Sequence, residues 1–390
     1  MDILIITSTF HPLTGGAETY ARLLATGLAE AGHTVVIATD GSWLPPGEYP
    51  ERDTENGYTV LRLRRFADEL DRRDKVKWRQ LANTVPADLH DLLGGFRPDV
   101  VHANSHETLT WSTQVALDSG AALVASLHEQ NPDLEPFGAG RCALAYRVLP
   151  VGVFFAASDF YAGRARHYGV PEDRLRLVYH GVDTTLADPT AARRARTRFG
   201  VADDEFLLVC PGRVYTRKAQ LDLARALPEI AAAVGGVRLL LAGRVSDFDY
   251  ADRMWKLLDE LDVAHLVTLA EDLNVDEMPA ILAAADAVVQ PSLEEGLGLA
   301  TIEAMAQARP VVGTDVVGLR EVLTDEADSL VVPVSDAGRL ATAVIRIAGD
   351  PGLAESLGRG ARATVLRRFD RRAMTEATLA GYEHALRARR

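Results

Sequence analysis

Cysteine and long apolar runs are scarce in this sequence of 390 residues, and positive charge is not in excess. Its two cysteines, Cys142 and Cys210, lie far apart and lack metal-ligand spacing. We therefore predict neither a disulfide framework nor a zinc site, and expect both thiols in or near the core. No apolar run approaches the ~18 residues that span a bilayer, and the sequence enters a strand-like segment at once with no basic leader. These absences predict a cytoplasmic protein.

A positive excess of charge is also missing. The formal net charge is −13, whereas a nucleic acid or a general anionic surface needs a basic face that displaces counterions. We therefore expect no nucleic-acid partner and do not favour a membrane surface. An anionic small molecule would have to be held by a few local positive groups.

Short runs rich in valine, isoleucine and leucine recur along the chain, and a helical pattern follows each one. Strands buried on both faces have this composition, so the alternation indicates βαβ units and an α/β fold with doubly wound parallel sheets. The predicted strands are residues 2–7, 33–39, 58–63, 99–104, 122–128, 153–158, 175–182, 206–212, 237–243, 266–270, 287–291, 310–314 and 330–333.

The length of the chain is too great for one ordinary core and predicts two domains. Residues 188–200 resemble a linker followed by a short basic helix, and they separate two sets of predicted strands. We predict two facing Rossmann-like domains, residues 1–185 and 186–366, and a terminal helix, residues 367–390, that packs back toward the first. Ligands of such sheets bind beyond the carboxyl ends of the strands.

Residues 295–303, EGLGLATIE, form the most informative motif. Two carboxylates, Glu295 and Glu303, flank the glycines Gly296 and Gly298 directly after a predicted strand. Glycines leave backbone N–H groups open to a phosphate at a helix start, and carboxylates accept hydrogen bonds from hydroxyls. The motif therefore predicts a site for a nucleotide sugar.

A second glycine motif, FHPLTGGAE at residues 10–18, joins the first predicted strand to a helical pattern. Backbone amides and the helix dipole converge at such a turn, as in the diphosphate sites of open α/β sheets. The loop lacks the G-x-G-x-x-G spacing, so Gly15 and Gly16 fit either a phosphate loop or an ordinary turn.

Taken in order, the motifs resemble those of the retaining glycosyltransferases of GT-B fold, in the family 4 group that uses nucleotide diphosphate sugars. The resemblance extends over nearly the whole chain. It rests on residues 10–18, DVVH at 99–102, AS at 157–158, HGVD at 180–183, PGR at 211–213 with Lys218, residues 295–303, EAMA at 303–306 and PVV at 310–312.

The resemblance implies that Arg213 and Lys218 neutralise the leaving diphosphate. Glu303 would bind the ribose hydroxyls and Glu295 the hydroxyls of the donor sugar. The implied donor-binding residues are Gly15, Gly16, Arg213, Lys218, Glu295, Gly296, Gly298, Leu299 and Glu303, and the implied catalytic residues are His128, Glu295, Arg213 and Lys218.

By the same resemblance, His128 lies near the donor sugar, whereas His102 only braces the site. The family is described as reacting on one face of the sugar, with the leaving phosphate helping to deprotonate the acceptor. No metal or other cofactor is expected, because Arg213 and Lys218 supply the positive charge. Residues 247–249 match the metal-binding D-x-D pattern only superficially. Departures from the family pattern fall at Val317-Gly318 and at Ala308, where glycines are usual.

The acceptor is less defined. The candidate acceptor contacts are His11, Asn104, Glu107 and Glu129. With Asp133, the two glutamates favour a cationic acceptor such as an aminocyclitol or amino sugar of a secondary metabolite. The competing acceptor is a polysaccharide or lipid-linked sugar, contacted by residues 62–79, a basic segment predicted to be a mobile surface loop or helix.

The base of the donor is not specified by the sequence, and we expect UDP ahead of GDP. Two other functions remain to be separated from sugar transfer. A sugar-nucleotide epimerase would act on the donor alone, and a non-catalytic sugar-nucleotide-binding protein would bind it without turnover.

Overall fold

The computed structural model of the protein describes residues 1–13, 15–41, 44, 47–63, 78–106, 108–128 and 145–389, with the backbone alone for residues 78–84. The chain divides into two compact units. The first comprises Met1–Gly181 together with Arg371–Arg390, and the second comprises Val182–Asp370. Each unit is a mainly parallel sheet with helices between most of its strands.

The first unit contains an eight-stranded sheet among its described residues. Its elements are β1 (Asp2–Thr7), α1 (Gly16–Glu30), β2 (Thr34–Asp40), β3 (Arg52–Glu55), β4 (Tyr58–Leu63), α2 (Trp78–Leu93), β5 (Val100–Ala103), α3 (Leu109–Ser119), β6 (Ala122–Leu127), β7 (Val151–Ala156), α4 (Asp159–His167) and β8 (Leu175–Leu177).

The strand order of this sheet is β3-β4-β2-β1-β5-β6-β7-β8, and the β3 pairing with β4 is antiparallel. The central strands are apolar on both faces, as Ile3, Leu4 and Ile5 of β1 show by being fully buried. Most predicted strands are confirmed with small shifts at their ends. The prediction for residues 175–182 was too long, because β8 ends at Leu177 and the chain then continues without a regular ladder.

Strand β3 was not predicted from the sequence. It forms a hairpin with β4 through Asn56 and Gly57, whose φ angles are 45° and 84°. Asn-Gly between two extended segments is a strong hairpin signal because both residues tolerate positive φ. The sequence therefore contains a local signal for this hairpin.

The hairpin also corrects the prediction for Arg62, which was assigned to a mobile surface segment. Arg62 lies in β4 and is 1% exposed. Its Nη1 donates to the Pro50 carbonyl at 3.3 Å and lies 3.5 Å from Oδ2 of Asp53. Residues 64–77 of that segment lie outside the described residues, so its acceptor or membrane role stays a prediction.

The second unit contains a six-stranded sheet among its described residues. Its elements are α5 (Pro189–Arg198), β9 (Phe206–Pro211), α6 (Gln220–Ala233), β10 (Val237–Ala242), α7 (Phe248–Glu260), β11 (Val267–Ala270), α8 (Met278–Ala284), β12 (Ala287–Gln290), α9 (Leu299–Ala306), β13 (Val311–Thr314), α10 (Val317–Arg320), β14 (Leu330–Val332), α11 (Ala337–Gly349) and α12 (Pro351–Arg368). Helix α5 confirms the short basic helix predicted after the linker.

The strand order of this sheet is β11-β10-β9-β12-β13-β14, with parallel pairing throughout. The chain runs outward from β9 to β11 and then returns to β12 on the other side of β9. Strands β9 and β12 therefore flank a topological switch point, as β1 and β5 do in the first sheet. Open α/β sheets bind ligands beyond the carboxyl ends of such strands.

The last helix, α13 (Arg371–Ala388), belongs to the first unit. It packs against α1, β6 and β7 and buries Met374, Tyr382 and Ala385. The approach to β7 is close, because a Cβ at Gly381 would lie 2.4 Å from the Phe155 ring. Glycine at this helical position therefore lets the helix lie against the sheet.

The sequence predicts buried cysteines and no membrane-spanning segment. Cys210 is 1% exposed in β9, which confirms it as a core residue, whereas Cys142 lies outside the described residues. Across the part of the chain that the structure describes, no helix combines the length and apolar composition needed to cross a membrane.

Candidate active site

Lys218 and Glu295 form an ion pair beyond the switch point of the second sheet, with Nζ 2.5 Å from Oε1. Lys218 ends a 3-10 turn (Thr216–Lys218) that follows β9, and Glu295 lies in the loop after β12. Their side chains are only 15% and 10% exposed. The fold thus brings together two residues that the sequence assigned to one site.

Two further side chains donate to the same oxygen of Glu295. Ser292 Oγ lies 2.7 Å from Oε1, and Gln290 Nε2 lies 3.2 Å from it. Sequence reasoning missed both residues. Their only signal was polar character at the end of an otherwise apolar strand, which is too common to identify a site.

Helix α9 begins directly after Gly298, which has the left-handed conformation φ 86°, ψ 53°. A Cβ at this position would lie 2.5 Å from Cδ2 of Leu319, so conformation and space both require glycine. No described side chain caps the helix. The N–H of Thr301 already donates to the Gly298 carbonyl at 3.0 Å, whereas the N–H groups of Leu299 and Ala300 precede any intrahelical acceptor, and the dipole favours an anion there. Leu299 opens the first turn, and half-buried Glu303 lies on the next.

Arg213 lies on the same loop between β9 and α6 as Lys218, and its guanidinium carbon is 5.1 Å from the centre of the Tyr215 ring. The loop leaves β9 through Gly212, whose φ is 122°. A Cβ at Gly243 would meet the Gly212 carbonyl oxygen at 2.4 Å, so two backbones touch at this point. Gly243, in the loop after β10, therefore lets the backbone of Gly212 pass close by as the chain carries Arg213 to the surface.

The chain departs from the family's glycines at Val317 and Ala308 and keeps the glycine at Gly318, and the structure distinguishes the three positions. A Cβ at Gly318 would lie 2.4 Å from the carbonyl oxygen of Glu295, so this glycine is needed for the backbone of Glu295 to approach. Val317, by contrast, is 50% exposed, and nothing in its environment requires glycine. Ala308 has a φ of 54°, a left-handed conformation that explains why glycine is usual at this position.

Other groups of the second unit that could take part in chemistry have structural roles. Burial raises the pKa of the Cys210 thiol to about 12, although nearby Lys218 acts in the opposite direction. Asp247, the first carboxylate of the D-x-D pattern, caps α7 by accepting from the Tyr250 N–H at 3.0 Å. It also accepts from Oγ1 of Thr216 at 3.1 Å. Among the described residues, no three His, Cys, Asp or Glu side chains cluster as metal ligands would.

The predicted glycine loop of the first unit lies at the start of α1, where Gly15 occupies the N-cap position. The carboxylate of Glu18 lies beside it: a Cβ at Gly15 would be 2.4 Å from Oε2, and Oε1 accepts from the Thr9 hydroxyl. A negative group of the protein itself therefore occupies the position that the helix dipole favours for an anion. The diphosphate role of Gly15 and Gly16 stays a prediction.

Asn104 follows β5 and is fully buried. Its Nδ2 donates to Oγ1 of Thr7 at 3.2 Å and to the carbonyl of Ala17 at 3.1 Å, which joins the start of α1 to the ends of β1 and β5. His11 lies 4.0 Å from Oε2 of Glu55. The remaining predicted acceptor residues, Glu107, Glu129 and Asp133, lie outside the described residues.

An aromatic cluster surrounds Tyr20 in the first unit. The Tyr20 ring stacks on His180 at 4.2 Å and meets His128 edge-on at 5.6 Å. His128 follows β6, is half-buried, and accepts a hydrogen bond at its carbonyl from the Tyr161 hydroxyl at 2.8 Å. Its predicted contact with a donor sugar stays a prediction.

His102 lies deeper, fully buried in β5. Its Nδ1 is 2.6 Å from the Tyr382 hydroxyl, and its Nε2 is 2.7 Å from Oγ of Ser126. Burial, aided by the charge of His128, lowers the pKa of His102 to about 3. Burial likewise lowers the pKa of His180 well below its usual value. Both rings are therefore neutral at ordinary pH.

Two family models match the chain. That of Glycosyltransferase Family 4 matches residues 14–186, and that of Glycosyl transferases group 1 matches residues 205–350. The chain is 28% identical to a GDP-mannose-dependent alpha-(1-6)-phosphatidylinositol monomannoside mannosyltransferase of Mycolicibacterium smegmatis. The similarity extends over 366 residues and covers 91% of each chain.

Solved structures show the same fold. Sucrose-phosphate synthase from Thermosynechococcus elongatus superposes with a TM-score of 0.81 at 22% identity, covering 99% of each chain. Anabaena HepE in complex with UDP-glucose superposes with a TM-score of 0.77 at 20% identity, covering 97% of this chain and 99% of that one.

Two parallel-sheet α/β units with these structural neighbours show the GT-B fold. Because the two models together match most of its length, the chain belongs to the family 4, group 1 glycosyltransferases, which use nucleotide sugars.

Proposed function

We propose that the protein transfers a hexosyl group from a nucleotide diphosphate sugar to a hydroxyl acceptor, with retention of configuration and without a metal ion. The observation that carries this proposal is the Lys218–Glu295 pair, which joins the loop after β9 to the loop that leads into the uncapped start of α9. A cation, a carboxylate and open backbone amides are thus supplied by adjoining loops at one switch point. These are the groups that a nucleotide sugar requires.

In the proposed reaction, the bond between the anomeric carbon and the diphosphate oxygen breaks, and negative charge develops on the diphosphate. Lys218, Arg213 and the amides at the start of α9 stabilise that charge. Glu295 accepts hydrogen bonds from the donor sugar, and Glu303 accepts them from the ribose. The acceptor oxygen forms the new bond on the same face of the sugar, and its proton passes to the leaving phosphate.

A buried nucleophile is not needed for this reaction. A double displacement would require a reactive group on the opposite face of the sugar. Cys210 is unsuited to that role, since it is buried and its pKa is raised to about 12. Cys210 therefore does not supply the nucleophile of a double displacement.

For the donor we propose UDP-linked sugars first and GDP-linked sugars next. HepE was solved with UDP-glucose, and the mannosyltransferase relative is named for GDP-mannose. For the acceptor we propose an aminocyclitol or amino sugar of a secondary metabolite, bound by the acidic residues Glu107, Glu129 and Asp133. A lipid-linked sugar is the second candidate, favoured by the phosphatidylinositol monomannoside in the relative's name.

The first test is a thermal-shift panel of UDP, GDP, ADP and dTDP sugars, because a ligand that binds the folded state raises the unfolding temperature. The selected donor is then incubated with amine-bearing and lipid-linked acceptors. NMR of the product reports its anomeric configuration, and a parallel reaction contains EDTA. We expect a retained configuration and an undiminished rate with EDTA.

Several outcomes would contradict the proposal. Alteration of the donor without an acceptor would indicate an epimerase, and binding without turnover would indicate a non-catalytic protein. Inversion, or loss of activity in EDTA that a divalent metal restores, would contradict the mechanism. For the acceptor, amide substitutions of Glu107, Glu129 and Asp133 should raise the KM of an amine-bearing acceptor. An unchanged KM would contradict the proposal that these residues bind a cationic acceptor.

A further inference from the structure

Glu295 is held through only one of its two carboxylate oxygens. Oε1 accepts from Nζ of Lys218 at 2.5 Å, Oγ of Ser292 at 2.7 Å and Nε2 of Gln290 at 3.2 Å. Among the described residues, no donor contacts Oε2. The carboxylate therefore has a fixed orientation and one oxygen left to accept from a ligand.

The two neutral donors are fixed by the sheet. Gln290 and Ser292 are 1% and 0% exposed, and Nε2 of Gln290 also donates to Oγ of Ser292 at 2.9 Å. Oγ1 of Thr314, in the neighbouring strand β13, donates to the Ser292 carbonyl at 2.6 Å. Both donors therefore have well-defined positions before any ligand arrives.

The ammonium of Lys218, unlike the two neutral donors, has a second proposed partner. In the proposed function it also neutralises the diphosphate, which carries more negative charge than one carboxylate and competes for its three N–H donors. A carboxylate that is 10% exposed cannot lose its partners without a large cost. Gln290 and Ser292 are neutral and buried, so the diphosphate attracts them less strongly than it attracts the ammonium, and they avoid this conflict.

We propose that Gln290 and Ser292 are positioning residues for the donor sugar. They hold Oε1 of Glu295 while Lys218 serves the diphosphate, so that Oε2 faces the sugar hydroxyls. The proposal rests on the proposed function of Glu295. It makes a specific distinction: these two residues act on recognition of the sugar and not on recognition of the nucleotide.

The experiment compares the affinities of a nucleotide and its sugar conjugate in calorimetric titrations. The ligands are UDP with UDP-glucose, or GDP with GDP-mannose, whichever the thermal-shift panel selects. The variants are Ser292→Ala and Gln290→Met, singly and together. We expect affinity for the sugar conjugate to fall about tenfold while affinity for the free nucleotide is unchanged, as for loss of a hydrogen bond to a charged group.

Ser329→Ala is the matched control. Ser329 is also a fully buried serine whose hydroxyl donates to a carboxylate, Asp328, at 3.1 Å, but it precedes β14, the edge strand two positions from β12. The control should leave both affinities unchanged, and thermal unfolding confirms that each variant is folded.

Three results separate this proposal from the one on which it rests. Equal weakening of both ligands would show general loosening of the site and overturn the positioning role. Unchanged affinities in the double variant would overturn it as well. Failure of the wild-type protein to bind any nucleotide would instead overturn the proposed function.

Discussion

The hydroxyl of Tyr382, in the last helix of the chain, lies 2.6 Å from Nδ1 of His102, in strand β5. Both side chains are fully buried. The second ring nitrogen of His102 lies 2.7 Å from Oγ of Ser126 in the adjacent strand β6. The last helix is therefore joined to the centre of the first sheet by a polar contact as well as by apolar packing.

Removal of the Tyr382 hydroxyl should destabilise the first unit. Tyr382→Phe keeps the ring packing but leaves Nδ1 of His102 without this partner, so we expect the free energy of unfolding to fall by about 1–3 kcal/mol. Urea unfolding measures the loss. Combined with His102→Phe, the total loss should be smaller than the sum of the single losses, and additive losses would contradict a direct interaction.

The buried histidines should make the protein sensitive to acid. Burial, and then the charge of His128, lowers the pKa of His102 to about 3, whereas an unfolded histidine titrates near pH ~6.5. Between these values the unfolded chain binds a proton that the folded chain does not. The stabilising contribution is therefore complete above the unfolded pKa and is lost as the pH falls below it.

We expect His102 to account for about 2 kcal/mol of lost stability between pH 7 and pH 5. His180 acts in the same direction, because burial lowers its pKa too. Among the described residues, the other ionisable groups packed on these rings are His128, Tyr20 and Tyr382, and burial raises the pKa values of both tyrosines. Urea unfolding at several pH values should show a smaller slope for His102→Gln than for the wild type. Equal slopes would refute the assignment.

The positive charge of Lys218 should matter for binding and turnover, unlike the charge of an ordinary surface lysine. Lys218→Met should lower kcat/KM by about 100-fold or more, since a donor to the developing charge is lost. Lys256→Met is the control, because Lys256 pairs with Asp252 at 2.7 Å on an exposed helix face. It should leave kcat/KM unchanged, and similar losses in the two variants would contradict the site assignment.

Gly298 should tolerate no side chain. Gly298→Ala combines a positive φ of 86° with a Cβ only 2.5 Å from Leu319, so we expect a loss of at least about 1–3 kcal/mol in stability and weaker nucleotide binding. The control is Gly338→Ala in the first turn of α11, where the nearest atom to the new Cβ is 3.7 Å away. That change should be neutral or slightly stabilising.

Ala308 offers a change in the opposite direction. Its φ of 54° costs an alanine about 1–2 kcal/mol that glycine does not incur, although glycine loses more chain entropy on folding. We therefore expect Ala308→Gly to raise the free energy of unfolding by about 0.5–1 kcal/mol. Thermal or urea unfolding measures the change, and a destabilised variant would contradict the strain.

Most of the parallel strands could be predicted from the sequence because strands buried on both faces are continuously apolar. Strand β3 could not be found in this way, since its residues, RDTE, are polar and partly exposed. Arg62 was misplaced for the same reason. A charged residue is normally exposed, and only the hairpin beside it supplies the partners that allow its burial.

The candidate site was predictable where chemistry follows a local pattern. Gly298 precedes a helix start, and Glu295 and Glu303 lie on either side of it, as the motif indicated. Gln290, Ser292 and Glu18 could not be identified, because a polar residue at a strand end or in a first helical turn is common. Their importance follows from the atoms they contact.

The amino-acid sequence alone determined the α/β class and the positions of the two glycine loops. The apolar runs of strands and the conformational freedom of glycine are both properties of short segments. Tertiary structure decided which oxygen of Glu295 stays open and which histidines are neutral. Both depend on burial and on contacts between distant segments, such as Lys218 with Glu295, 77 positions apart, and His102 with Tyr382, 280 positions apart. The order of strands brings Lys218 to Glu295, and the packing of α13 on the first sheet brings Tyr382 to His102.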